Sequence, residues 1–316
     1  MKLVFFGTPA FAVPSLRALR AAGHEIPFVV TQPDRPASRG RKELAAPPVK
    51  LAADGLPLLQ PEDVNADDVL GRLRLATPDV LVVVAFGQKM GPSLLSLAPR
   101  GAVNGHASLL PSFRGASPIA SAILKGKSES GVTIMRIAEK MDTGATLLQG
   151  RVPIGPEDTT DTLEARLADV SALLLVELLS AWQSGRDVPE VAQDDSKATY
   201  ARKLRKEDGL IDWTRLARRL DCHVRGMFPW PVAFTFLHAE GKPPLRLAVL
   251  KARPSTDAAS APPGTILGLS EHGLRVATGE GILDLVELQP ENRRAMDARS
   301  FQNGFRVKPG DRFGPQ

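Results

Sequence analysis

The first thirty-one residues restrict the fold of this chain more than any other stretch. Lys2–Phe6 is a short apolar run that stops at Gly7-Thr8-Pro9. An amphipathic stretch follows from about Val13 to Ala22, and Gly23 suits its C-cap. Ile26–Thr31 is a second apolar, β-branched run. Strand, helix and strand on short links form a βαβ unit, which predicts parallel strands and a right-handed crossover.

Further runs extend the pattern. Asp79–Phe86 is Val-rich and reads as a buried strand; Thr133–Ile137 and Thr146–Val152 read as two more. Asp161–Trp182 has helical periodicity with a long Leu-rich face. The expected fold is therefore a doubly wound α/β domain with a mostly parallel, Rossmann-like sheet over residues 1–192. Its first turn is not a dinucleotide fingerprint: Gly7-Thr8-Pro9-Ala10-Phe11 lacks G-x-G-x-x-G, and Pro9 and Phe11 obstruct a pyrophosphate.

The polar stretch through residues 193–206 reads as a linker. Beyond it, over 207–316, the character changes. Val232–Leu237, Leu245–Leu250, Gly264–Leu269, Leu274–Thr278 and Ile282–Glu287 are short strand-like runs separated by Gly, Pro and charged turns. With one short helix near Leu216–Val224, they predict a small OB-like β-barrel. From Arg205 onward there are 17 Lys and Arg against 13 Asp and Glu, whereas the preceding residues hold 23 against 22. The excess of positive charge lies in the barrel, and that asymmetry fits contact with a nucleic-acid backbone.

Several classes are disfavoured. The single cysteine, Cys222, can make neither an internal disulfide nor a zinc cluster. The five histidines have no helical metal-ligand spacing, so no metal is expected. No segment resembles a signal peptide, and no apolar run approaches the roughly 20 residues that span a bilayer. The expectation is a soluble, cytoplasmic protein, without membrane attachment and compatible with a monomer.

Chemistry concentrates in Val103-Asn104-Gly105-His106-Ala107-Ser108-Leu109-Leu110-Pro111. Asn104 and His106 are two apart, which on an extended backbone puts both side chains on one face. A polar pair at a strand end, before a helix that starts near Pro118, sits where α/β sheets bind ligands. Met141-Asp142-Thr143-Gly144, between two strand-like runs, could bring a carboxylate beside the imidazole. Such a set suits acyl transfer to an amine. Amide and imidazolium donors stabilise the oxygen of a tetrahedral intermediate, and a carboxylate orients the ring and accepts a proton. By spacing alone, however, a histidine near a strand end is more often structural, and Asp142 reads as a turn residue.

The combination of Val103-Asn104-x-His106, Ser108-Leu109-Leu110-Pro111, Arg114-Gly115-Ala116-x-Pro118-Ile119 and Met141-Asp142-Thr143-Gly144 resembles the formyltransferase family that uses 10-formyltetrahydrofolate. Phe5-Phe6-Gly7-Thr8-Pro9, Thr31–Pro36, Ile211-Asp212-Trp213 and Arg225–Pro231 resemble the branch of that family whose acceptor is charged initiator tRNA. The likeness covers nearly the whole chain. It implies that Asn104, His106 and Asp142 are the catalytic trio. It also implies that Phe86, Gly87, Ser108, Leu109, Leu110 and Pro111 help line the folate pocket. Ala145-Thr146 departs from relatives that carry Asp or Pro after the Asp-Thr-Gly.

The long link Pro33–Lys50 carries Arg35, Arg39, Arg41, Lys42 and Lys50. Links of this length inside a βαβ unit are usually functional or disordered. Five cations near the binding edge suit contact with an acceptor stem, and the resemblance implies that Arg35, Arg39, Arg41 and Lys42 bind tRNA. Two alternatives remain: an enzyme that formylates a small amine, such as a glycinamide ribonucleotide or an amino sugar, and a tRNA-binding protein without catalysis.

Overall fold

The structure is a computed structural model and describes residues 1–36 and 44–316. The elements in chain order are β1 (Lys2–Gly7), α1 (Val13–Ala21), β2 (Glu25–Val30), β3 (Arg35–Pro36), β4 (Leu44–Ala45), α2 (Pro48–Ala52), β5 (Leu58–Leu59), α3 (Asp67–Leu75), β6 (Val80–Val84), α4 (Pro92–Leu95), β7 (Ala102–His106), β8 (Arg114–Gly115), α5 (Pro118–Leu124), β9 (Glu129–Arg136), β10 (Thr146–Pro153) and α6 (Thr160–Gln183). They continue with β11 (Tyr200–Ala201), α7 (Ala217–Met227), β12 (Ala233–His238), β13 (Leu245–Ser255), β14 (Ile266–Leu269), β15 (Leu274–Ala277), β16 (Ile282–Pro290), β17 (Met296–Asp297), α8 (Ala298–Phe305) and β18 (Arg312–Gly314).

The chain divides into two compact units. The first holds residues 1–118, 129–153 and 164–201; the second holds 119–128, 154–163 and 202–316. A cut made along the sequence cannot find the two early excursions, because short segments inside one pattern carry no local mark of the unit they pack into.

The first unit is built on a seven-stranded sheet in the order β10-β9-β7-β6-β1-β2-β5. The five strands from β5 to β7 are parallel, and β9 runs antiparallel to both of its neighbours. This is the expected doubly wound, mostly parallel sheet. The chain leaves β1 toward β2 and β5, then returns to lay β6 and β7 on the other side. Where the winding reverses, loops on the two sides diverge and open a crevice at the carboxyl ends of the strands. All five residues of β6 are buried, as the unbroken apolar run requires of a strand covered on both faces. Phe6, Leu73, Leu81 and Leu94 pack into one core beside it. Helix α3 was not marked by the sequence pattern, although Asp67 and Asp68 in its first turn and Arg72 and Arg74 in its last complement the helix dipole.

The second unit contains an antiparallel sheet in the order β14-β15-β16-β13-β12-β18. A bridge between Thr265 and Arg312 brings its two edges together and nearly closes the barrel, removing exposed strand edges. Trp213 stacks on Phe313 at 5.7 Å inside this core, and its indole N–H donates to Thr235 Oγ1 at 3.0 Å. The expected helix is α7. A second helix, α8, went unread in the sequence; Asp297 caps it by accepting from the Ser300 N–H at 2.7 Å.

Candidate active site at the carboxyl edge of the sheet

Strand β7 carries Asn104 and His106 on the same side of its pleat, while Gly105 faces α6, where an added Cβ would lie 2.6 Å from Ser171 Oγ. The register pairs Asn104 with Val83 on β6 and with Met135 on β9. The end of β6, residues 84–87, therefore runs out beside the end of β7. Asn104 is half-buried, and its side-chain amide has no hydrogen-bond partner among the described residues. His106 is 6% exposed, and its Nε2 lies 3.1 Å from the Phe113 carbonyl oxygen.

Asp142 lies in the connection from β9 to β10. Its Oδ2 sits 3.7 Å from His106 Nδ1 and accepts a 2.8 Å hydrogen bond from the Gly115 N–H. The residue has φ +56°, in the left-handed region that Asp tolerates better than most side chains. Two residues on, Gly144 is pressed so close to the Arg136 carbonyl that a Cβ would lie 1.8 Å from its oxygen. The turn is thus folded tightly back on β9, which returns Asp142 toward β7. Both imidazole nitrogens face acceptors, the Phe113 carbonyl and the Asp142 carboxylate. The Phe113 carbonyl is a hydrogen-bond partner of Nε2, whereas Nδ1 keeps its hydrogen-bonding capacity for a third group. The 3.7 Å separation exceeds a hydrogen bond and leaves room for the groups to tighten around a reacting atom.

The Ser108–Pro111 loop is held from below by Thr133 on β9. Its Oγ1 donates to the Ser108 carbonyl at 2.7 Å and accepts from the Leu110 N–H at 3.1 Å and from Gln149 Nε2 at 2.9 Å. Gln149 Nε2 also donates to the Leu110 carbonyl at 3.0 Å. Ser108 is buried, its hydroxyl committed to the Ser112 carbonyl at 2.6 Å, and Leu110 is buried as well. Leu109 and Pro111 are half-buried and keep surface available.

At the end of β6, the Phe86 ring turns inward and meets Phe6 edge-on at 5.5 Å. Its carbonyl is occupied by Thr8 Oγ1 at 2.8 Å and Gln32 Nε2 at 3.3 Å. Ala85 and Gly87 are exposed, both at positive φ (48° and 91°). The accessible part of this edge is their backbone.

Arg35 sits on β3, which pairs with β4 to form the base of the basic loop. Lys50 is committed to Asp34, Nζ to Oδ2, at 2.6 Å, and Gln60 Nε2 donates to Asp34 Oδ1 at 2.7 Å. These partners, Gln60 first and then Lys50, hold the Asp34 carboxyl below the usual carboxylate range. Lys50 is therefore a strut of the loop base rather than a free cation. Arg39, Arg41 and Lys42 lie outside the described residues.

Residues 1–179 match the family described as formyl transferase, and residues 203–306 match the formyl transferase C-terminal domain. The chain belongs to the formyl transferase family. Among the curated relatives of this formyl transferase, the methionyl-tRNA formyltransferase of Anaeromyxobacter dehalogenans is 49% identical over 98% of each chain. The methionyl-tRNA formyltransferase of Solibacter usitatus is 46% identical over 99% of each chain. The sugar 3N-formyl transferase WlaRD, solved in the presence of dTDP and 5-N-formyl-THF, superposes with a TM-score of 0.63 at 16% identity, covering 93% of this chain and 99% of that one. HypX from Aquifex aeolicus in complex with tetrahydrofolic acid superposes with a TM-score of 0.63 at 17% identity over 96% of this chain. This chain spans 47% of the length of HypX. At these identities the likeness is one of fold.

Sequence reading of this formyl transferase did not find Thr133, Gln149 or Gln193. Each is a single polar residue in an ordinary context, and its role arises from what the fold sets beside it.

Proposed function

We propose that this chain transfers the formyl group of 10-formyltetrahydrofolate to the α-amino group of methionine on charged initiator tRNA, in support of translation initiation. The observation that carries the reading is the approach of Asp142 to His106 at the end of β7, on the face that Asn104 shares, in a chain that matches methionyl-tRNA formyltransferases along almost its full length.

The residues present suit a folate formyl donor. The unpartnered Asn104 amide, the exposed backbone of Ala85 and Gly87 and the half-buried Leu109 and Pro111 offer polar and apolar surface on adjoining strand ends. The donor supplies an activated formyl carbon, and the amine attacks it directly. The Asn104 amide and the His106 ring donate to the oxygen on which charge gathers. Asp142 orients the ring and takes up the amine proton, directly or through water; as the bond from the formyl carbon to the folate nitrogen breaks, that nitrogen leaves and regains the proton. No side chain forms a bond to the formyl group.

The basic loop and the barrel supply the reading of the acceptor, with Arg35, Arg39, Arg41 and Lys42 on the phosphates. The protein works in the cytoplasm as a monomer. The test is an acceptor assay in which 10-formyltetrahydrofolate is supplied with charged initiator tRNA in one reaction and with amino sugars or glycinamide ribonucleotide in others. Formylation of the tRNA-borne methionine is expected, and formylation of the small amines alone would overturn the reading.

A further inference from the structure

The segment from Glu190 to Ala201 runs along the candidate site and joins its two loops. Val191 pairs with Thr146 through hydrogen bonds of 2.8 and 2.9 Å at the end of the Asp142 turn. The Thr199 hydroxyl accepts from the Phe113 N–H at 2.8 Å, the Thr199 carbonyl accepts from the Arg114 N–H at 2.8 Å, and the Ala201 carbonyl accepts from the Ala116 N–H at 2.8 Å. Between these anchors Gln193 makes four hydrogen bonds with one amide group. Its Nε2 donates to the carbonyls of Asp142 at 2.9 Å and Gly144 at 2.7 Å. Its Oε1 accepts from Arg114 Nε at 3.1 Å and Nη2 at 2.9 Å.

We propose that Gln193 is a positioning residue that fixes the Asp142 carboxylate, which rests on the reading of Asp142 as a member of the catalytic trio. The contacts form a closed circuit. The backbone of Asp142 is held by Gln193, and Gln193 is held by Arg114. The next residue after Arg114, Gly115, supplies the N–H that holds the Asp142 carboxylate at 2.8 Å. One residue is thus clamped at both ends by a single polar network. Arg114 is 2% exposed, and its Nη2 also reaches Asp195 Oδ1 at 2.7 Å, so the guanidinium is a buried anchor held through Nε and Nη2. Asp142 has positive φ, and a turn of that kind persists where its surroundings over-determine it. Both amide hydrogens and both carbonyl lone pairs of Gln193 are in use, so only an amide satisfies the position. A glutamate of the same size keeps the bonds from Arg114 but sets a carboxylate against two carbonyl oxygens.

The test is a double-mutant cycle read by single-turnover formylation. Gln193→Glu is expected to lower kcat by about 10- to 100-fold, since displacement of a reacting group by an ångström costs that much. KM for both substrates should stay within about twofold when each variant is assayed well below its own Tm, which the two repelled carbonyls will lower; a merely structural residue would move KM or show no dependence on the Asp142 background. In an Asp142→Asn background, the same change should lower the residual rate by less than about twofold, because there is no longer a carboxylate to place. Gln193→Met is the second variant, judged by the same criterion; a general folding defect would appear in both backgrounds. Wild-type kcat in Gln193→Glu, or an undiminished loss in the Asp142→Asn background, overturns the inference. Wild-type turnover by Asp142→Asn alone instead removes the trio reading on which the inference stands.

Discussion

The imidazole of His106, at the end of β7, and the carboxylate of Asp142, in the connection from β9 to β10, face one another at 3.7 Å. Their side chains are 7% and 11% exposed. Shielding of this degree strengthens the electrostatic influence of the carboxylate on the ring relative to open water. The histidine is fixed by its strand, and the aspartate only by what holds its turn.

His106→Ala and Asp142→Ala should each lower formylation by about 100-fold or more while leaving tRNA affinity nearly unchanged, since groups in these roles contribute to the transition state rather than to binding. Rates under single turnover and filter binding of charged tRNA make the comparison. A variant that retains more than about a tenth of the rate would contradict the role given to its residue.

Gly115→Ala should both destabilise and inactivate. Gly115 has φ +116°, and an added Cβ would lie 2.6 Å from the Ala201 carbonyl oxygen. Backbone strain of this kind costs about 1–3 kcal/mol. Relief by withdrawal of β11 would shift the N–H that holds Asp142. Thermal unfolding should show a lower Tm, and activity measured well below that Tm should also fall. An unchanged rate in a destabilised variant would detach the Gly115 N–H from the chemistry.

Arg39→Ala and Lys50→Met should behave differently although both remove one cation. Lys50 is already paired with Asp34 at 2.6 Å. Arg39 is assigned to phosphate contact by resemblance. Arg39→Ala should weaken the tRNA reaction far more than folate affinity, and should reduce the slope of log affinity against log salt by about 0.7 to 0.9. Lys50→Met should leave that slope in place. Equal slopes for the two variants would remove Arg39 from the tRNA interface.

Acid should destabilise the second unit through His223. This residue of α7 is 8% exposed, and its Nε2 lies 3.3 Å from the Gly209 carbonyl oxygen. Burial holds its imidazole below the ordinary value. The unfolded chain takes up the proton once pH falls below about 6.5, whereas the folded chain does so only at lower pH. Between those two points the unfolded state binds more protons, so stability is fully present above about 6.5 and falls as pH drops through that window. His223→Gln should flatten this part of a plot of Tm against pH. An identical acid limb in the variant would show that the titration lies elsewhere.

How much was legible in the sequence varies with the range of the interaction. The βαβ opening and the Val-rich β6 were readable because the period of apolar residues is a local property, and β7 was legible as an extended segment; the two-residue β5 was not read as a strand. Barrel strands β12 to β16 were readable for the same reason, although β13 and β16 continue past their apolar runs to Ser255 and Pro290, and the short β17 and β18 were not read. Helices α2, α3, α4 and α8 were missed: α2 and α4 have barely one turn, and Gly71 inside α3 and Asn303-Gly304 inside α8 are poor helix formers.

By itself the sequence determined the kinds of element, the two-part character of the chain and the motifs that place it in the formyl transferase family. It also placed Asn104 and His106 on one side of a strand, because alternation across a pleat is fixed by backbone geometry. Only the tertiary structure decided that Asp142 stands beside His106, that the Phe86 ring belongs to the core, that Lys50 is already paired, and that Gln193 ties the Asp142 turn to Arg114. Each of these depends on segments 16 to 80 residues apart being brought within a few ångströms. That proximity is set by how sheet and loops pack as a whole, and no local stretch of sequence records it.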